Sequence, residues 1–201
     1  MEINFITSNK GKIIALKDYF KKYFINDLDV KSVKLDIFEP QASSVKEVSK
    51  SKALQAYSIL KKPLLVEDGG FYIEALNNFP GVYVRYILDT IGAEGILKLM
   101  QGQTNRKARF CSCTTYVDEK GELFQFENDF DETDIGLIAT EKSKVICEKA
   151  WSDLWYIYKP YGYQKTLAEL TSKEYEEYEN ADSGAKSSVE NFVNWFKGNI
   201  E

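Results

Sequence analysis

The sequence predicts an α/β fold with a mixed sheet, and three observations carry that prediction. Over residues 1–70, short apolar runs alternate with helix-period segments in the order β-α-β-α-β. In the second half, two alternating runs flank Glu119-Lys120-Gly121 as the arms of a β-hairpin do, so the sheet is not purely parallel. The 201 residues are 44% hydrophobic and 14% aromatic, which is enough core material for one sizeable domain. No Pro-rich linker, low-complexity tract or internal repeat interrupts them, and residues 1–201 read as a single domain.

Residues 2–7 (EINFIT) form a short buried strand, and an amphipathic helix follows from about Gly11 to Phe24. Residues 29–35 alternate like a half-exposed strand. Residues 44–61 make a second helix, with Ser44 as N-cap and Glu47 three positions on, the spacing of a capping box. Residues 63–66 are a buried strand that ends in Glu67-Asp68-Gly69-Gly70, read as a polar turn. Residues 92–101 are helical, 108–118 and 122–130 are the hairpin, and 135–139 a further strand. Helices over 171–180 and about 183–197 close the chain.

Composition excludes several classes of chemistry. The chain has no histidine, which removes Ser–His–Asp triads, Cys–His dyads and most zinc sites. Its three cysteines, Cys111, Cys113 and Cys147, include no CxxC pair and suggest neither a disulfide framework nor a thiolate metal site. Lys+Arg number 26 against 31 Asp+Glu, a net charge of -5, so the chain lacks the basic field that a nucleic-acid polymer requires. The start, MEINFITSNKGK, has no signal-peptide core, and no run reaches the roughly 18 apolar residues of a membrane span. A reduced, cytoplasmic protein is expected, working with Asp, Glu, Lys, Tyr, Ser/Thr or a hard metal ion.

Five segments could carry such chemistry. In Thr7-Ser8-Asn9-Lys10-Gly11-Lys12 a strand enters a helix N-terminus, where free N–H groups and the helix dipole attract anions. That is either a phosphate cradle or an ordinary β–α turn, and it lacks the GxxxxGK spacing of a Walker A loop. Glu67-Asp68-Gly69-Gly70 sets two carboxylates at the carboxyl end of a strand, where α/β sheets gather ligands and where Mg²⁺ finds hard oxygens. On helix 44–61, Val45, Val48, Ala56 and Leu60 form an apolar stripe with Lys52 in its middle. A lysine there either reaches a carboxylate or a phosphate, or snorkels to the surface. Glu47 lies well off that stripe. Phe79-Pro80-Gly81 is a turn signal ahead of Arg85, and Lys159-Pro160-Tyr161-Gly162-Tyr163 is an aromatic loop that could close over a flat ring or simply pack.

In order and spacing the stretches TSNKGK, KEVSKSKA, LLVEDGGFYIEALNNFPGVYVRY, KARF and KPYGYQKTLAEL resemble the inosine triphosphate pyrophosphatase, or Ham1-like, family. The resemblance spans nearly the whole chain and is most specific over residues 64–86. It implies an elongated two-lobed fold with a mixed central sheet and a cleft between the lobes. It implies Mg²⁺-dependent hydrolysis of a nucleoside triphosphate to the monophosphate and pyrophosphate, usually by a homodimer. Matched by position, Thr7, Ser8, Asn9 and Lys12 fall on the phosphate-binding start, with Gly69, Gly70, Arg85 and Tyr161 as further substrate contacts. Glu47, Glu67 and Asp68 fall on the metal-binding carboxylates, and Asp68, Glu67 and Lys52 on the catalytic group. Many family members carry Ser where this chain has Gly69. Two motifs that grip a 6-keto purine are absent. A GFGYDP-like stretch is replaced by Trp151-Ser152-Asp153-Leu154-Trp155-Tyr156, and a Ser-His-Arg motif by the segment from Glu179 to Gly184. The resemblance therefore implies a conserved triphosphate machinery with a rewritten base reader, for which Trp151, Trp155, Tyr156, Tyr161 and Tyr163 are candidates. The alternatives are a non-catalytic nucleotide-binding or regulatory protein on the same scaffold, or a pyrophosphatase for another modified nucleotide.

Overall fold

The computed structural model describes residues 2–23, 28–128, 134–180 and 187–199. Its elements run β1 (Glu2–Ile6), α1 (Lys10–Lys22), β2 (Asp29–Val33), α2 (Val45–Leu60), β3 (Leu64–Ile73), β4 (Pro80–Gly81), α3 (Val84–Thr90), α4 (Gly92–Leu99), β5 (Lys107–Val117), β6 (Leu123–Glu127), β7 (Gly136–Ile138), β8 (Tyr158–Lys159), α5 (Ser172–Asn180) and α6 (Ser188–Lys197). The expected α/β class and mixed sheet are both present. Strand β1 pairs in parallel with β2 and with β3, while β5 pairs antiparallel with β6 and β7. The hairpin closes with Val117 opposite Leu123, and Gly121 takes a positive φ of 83° in its turn. The expected ends of the first helix at Phe24 and of the hairpin at 129–130, and the start of the last helix before Lys186, lie outside the described residues.

The chain divides into two compact units: Met1–Gly69 with Cys111–Asp129 and Lys186–Glu201, and Gly70–Phe110 with Phe130–Ala185. In the first unit the alternation of β3 sorts its residues to two faces. Leu65 joins Ile3, Phe5, Leu16 of α1 and Phe192 of α6 in one cluster. Leu64 and Val66 join Ile6 and the α2 residues Ala53 and Ala56 in another. So α1 and α6 cover one face of this sheet and α2 covers the other. Two buried hydroxyl pairs fix those helices: Ser49 of α2 with Thr115 of β5 at 2.5 Å, and Ser188 of α6 with Thr114 at 3.0 Å.

One reading is corrected in the strands. Gly69 and Gly70 do not form a turn: β3 continues through them to Ile73. Neither has a positive φ, and the strand is extended because β4 pairs with it at Phe71 and Tyr72. In the second unit, Phe79–Pro80 is a cis peptide and Gly81 has φ +58°, so the expected turn is present. It leads into α3, a helix that the Pro-Gly signal concealed. This unit has its own core, in which Phe71, Phe110 and Tyr158 meet edge-on or tilted at 4.8–5.8 Å between ring centres.

Candidate active site

Asn9 caps α1, its Oδ1 accepting hydrogen bonds from the N–H of Gly11 at 2.8 Å and of Lys12 at 3.4 Å. A Cβ on Gly11 would stand 3.2 Å from that oxygen, so glycine leaves the cap undisturbed. Thr7 supports the same turn, its Oγ1 accepting from Asn9 N–H, and Ser8 is exposed. The cap sets Lys12 as the third residue of the helix, on its sheet-facing side. From there Lys12 Nζ donates to the carbonyl oxygen of Glu67 at 2.9 Å and lies 3.9 Å from Glu67 Oε2.

On the other face, Lys52 rises from the buried stripe of α2, where Val45, Val48, Ser49, Ala53 and Ala56 are the core residues. Its ammonium reaches a partner: Nζ is 2.8 Å from Asp68 Oδ2. It also donates to Glu39 Oε1 at 2.9 Å. Burial alone would pull the Lys52 ammonium below the ordinary lysine value. The charges of Asp68 and Glu39, with the hydrogen bond to Glu39, outweigh that cost and hold it above. Asp68 Oδ2 is itself buried and has no well-aligned hydrogen-bond donor, so its contact with Lys52 is a charge contact at a poor angle.

The pleat therefore splits the Glu67–Asp68 pair. Successive side chains of an extended strand point to opposite faces. Glu67 accordingly meets Lys12 of α1, and Asp68 meets Lys52 of α2. The expectation that Glu47, Glu67 and Asp68 gather around one ion is not met. Among the described residues no three Asp, Glu or Cys side chains are grouped to hold a metal. Glu47 is exposed, and its Oε2 accepts from the N–H and Oγ of Ser43, both at 3.1 Å. Ser44 does cap α2, accepting from Glu47 N–H, but the return contact of the capping box falls on Ser43. Glu39 is the carboxylate that sequence reading missed. It lies in the irregular segment between β2 and α2, immediately before Pro40, where no periodicity marks it. Its one signal is that a residue before proline is held extended, in a connection that can present a functional group.

Gly69 sits beside Asp68, and a Cβ there would meet the Cys111 carbonyl oxygen at an ordinary 3.7 Å. Gly70 follows it in β3 and is buried, within the second unit. In that second unit Arg85 is on α3, with a 90% exposed side chain and Nε 3.7 Å from Asp89 Oδ2 of the same helix. Tyr161 is exposed and lines a cavity of about 440 Å³ with Lys107, Leu137, Pro160 and Tyr163.

Two of these features of the first unit, a capped helix start and a pair of lysines beside β3, suit an anionic ligand. The chain belongs to the Ham1 family, whose sequence model matches residues 3–182. The dITP/XTP pyrophosphatase of Thermococcus kodakarensis is 36% identical over 201 residues, covering the whole of both chains. That of Methanopyrus kandleri is 36% identical over 202 residues, covering the whole of this chain and 98% of the relative. Solved structures share the fold. A HAM1 protein from Coxiella burnetii superposes with a TM-score of 0.76 at 22% identity, over 98% of this chain and 99% of that one. The Staphylococcus aureus Ham1 protein gives 0.74 at 21% identity, over 99% and 100%.

Proposed function

We propose that this chain hydrolyses a purine nucleoside triphosphate of the dITP or XTP type to the monophosphate and pyrophosphate. The observation that carries the reading is the Lys52 ammonium held between Asp68 and Glu39, on the α2 face of β3. Relatives of full-length similarity bear the name dITP/XTP pyrophosphatase, which supports the substrate class.

The chemistry asks little covalent help from the protein. A water oxygen bonds to the α-phosphorus, the α–β anhydride bond breaks, and pyrophosphate leaves with its charge neutralised. Lys12 and Lys52 are the cations for that charge, and the Asn9-capped start of α1 offers N–H groups to phosphate oxygens. Asp68 is the acceptor for the water's proton. Lys52 has a flexible four-carbon stem, so it can leave Asp68 for a phosphate when substrate arrives.

The family reading implies Mg²⁺, and the residues fit it on a smaller donor set than the sequence suggested. Asp68 and Glu39 converge on one nitrogen as hard oxygen donors, and Asp68 Oδ2 is buried without an aligned hydrogen-bond donor. Mg²⁺ is commonly held by one or two carboxylates together with substrate phosphates. Asp68 and Glu39 would hold it here, and when bound it neutralises polyphosphate charge and polarises the phosphates. A cytoplasmic setting and pairing of two copies belong to the same proposal. No described helix is long and apolar enough to cross a membrane.

The test is pyrophosphate release by the purified full chain with Mg²⁺ across dITP, ITP, XTP and the four standard nucleotides. Turnover of the deaminated purines is expected, and the four standard nucleotides report how tightly the base is read. Folded protein that releases pyrophosphate from none of them refutes the reading.

A further inference from the structure

Glu39 lies in a connection without regular structure, yet its carboxylate is held at hydrogen-bond distance from Lys52. What fixes it comes from α2. Gln55, one turn beyond Lys52, turns its amide onto the backbone of Phe38, the residue before Glu39. Gln55 Oε1 accepts from Phe38 N–H at 3.0 Å, and Gln55 Nε2 donates to the Phe38 carbonyl oxygen at 2.8 Å. The side-chain amide thus reads both polar groups of one residue, as a neighbouring strand would. Gln55 is in turn steadied by Ser51, whose carbonyl oxygen and Oγ both accept from Nε2 at 3.3 Å. The clamp holds Phe38 in place even though its ring is 72% exposed and gains little from burial. Lys52 and Gln55 share one helix, so the clamp gives the Glu39 backbone a fixed distance to the Lys52 ammonium.

We propose that Gln55 is a positioning residue: by clamping Phe38 it sets Glu39 opposite Asp68, and so completes the pair of carboxylates that takes the divalent cation. This rests on the reading above that Asp68 and Glu39 hold the ion. Gln55 touches neither substrate nor metal. Without the clamp, Glu39 must be ordered at the moment of binding, and the cost appears as weaker metal affinity.

The experiment is Mn²⁺ binding to the full chain without nucleotide, followed by calorimetry. The set is wild type, Gln55→Ala, Gln55→Glu, Glu39→Gln and the double variant Gln55→Ala/Glu39→Gln, with thermal unfolding recorded for each. Gln55→Ala is expected to weaken Mn²⁺ by about tenfold, the scale of two net hydrogen bonds. Gln55→Glu keeps the acceptor for Phe38 N–H and loses the donor, so it falls between Gln55→Ala and wild type. If Gln55 works through Glu39, the double variant binds no more weakly than Glu39→Gln alone. Gln55→Ala affinity within twofold of wild type, or a double variant that loses the sum of both effects, overturns the proposal while leaving the metal reading standing. Unchanged affinity in Glu39→Gln overturns both. If Gln55→Ala fails to fold, Gln55→Glu alone must show the partial loss, and wild-type affinity there is equally fatal.

Discussion

Replacing Asp68 with Asn should separate catalysis from binding. The substitution keeps the shape but removes the charge 2.8 Å from Lys52 Nζ. Breaking a fully buried ion pair costs about 3–5 kcal/mol. Here the side chains keep 16% and 22% exposure, and Glu39 stays on the ammonium, so the loss should be about 1–2 kcal/mol. Urea denaturation at pH 7 reads this as a midpoint lowered by roughly 0.5–1 M. The sign with pH follows from Lys52. Its folded pKa is raised above the ordinary lysine value, so the pair stabilises fully below that value and the contribution is lost as pH climbs through the folded pKa. The gap between wild type and Asp68→Asn should therefore close above about pH 10.5. For activity, losing a positioned proton acceptor lowers kcat by about 10²–10⁴. Nucleotide affinity measured without divalent cation should hold or improve, because one negative charge near the phosphates is gone. Pyrophosphate release and equilibrium nucleotide binding measure the two separately. A kcat within tenfold of wild type, or a loss of affinity equal to the loss of rate, refutes Asp68 as the acceptor.

Three further outcomes are expected. Lys12→Met should weaken nucleotide binding by about tenfold or more, the loss of one charge-assisted contact. It should do so with little change in thermal midpoint, since its contact with Glu67 is partly exposed; direct nucleotide titration checks it. Gly69→Ser should fold normally and change stability by less than about 1 kcal/mol in denaturant melts, because a Cβ there meets Cys111 O at an ordinary 3.7 Å and φ is unexceptional. Gly136→Ala should destabilise by about 3 kcal/mol or more, since its Cβ would stand 2.3 Å from the Lys159 carbonyl oxygen, backbone that cannot swing away; thermal unfolding of that variant reads it.

The local pattern announced most of the first unit. Strand β1, helix α1, the Ser44 cap and the hairpin all follow from apolar period and capping residues, which act over a few positions. Lys52 was legible for the same reason: a cation on an apolar stripe has few options other than a carboxylate. What escaped is set by distant partners. The strand runs through Gly69-Gly70 because β4 waits to pair with Phe71 and Tyr72, and no local rule contains that information. Helix α3 starts at Tyr83 with no side-chain cap to advertise it. The separation of Glu67 from Asp68 could have been read from the two-residue period of a strand. Treating neighbours in sequence as neighbours in space hid it. Glu39 depends on Gln55, sixteen positions away and on a different element, so its place is a property of the fold alone.

The same distinction bears on base selection. The middle of the segment that replaces the family's base motif packs into the core of the second unit. Leu154 and Trp155 are buried, and Trp155 stacks on Tyr175 at 5.2 Å with 30° between the rings. Tyr156 donates from its hydroxyl to the Cys147 carbonyl oxygen, and Tyr163 likewise to that of Glu174. Of the five aromatics, only Trp151 and Tyr161 offer more than half of their surface to solvent. Stacking on such rings tolerates any base, because every base has a π face. Discrimination of 10⁴ or so instead requires buried polar groups that a wrong base leaves unpaired, roughly the difference between a hydrogen-bonding site and an apolar one. On the nucleotide reading proposed above, a chain that keeps Lys12, Lys52 and Asp68 but lacks that hydrogen-bonding motif should select its nucleotide less by the edge of the base than by the polyphosphate tail. The nucleotide panel reads this as comparable turnover of dITP and the standard nucleotides.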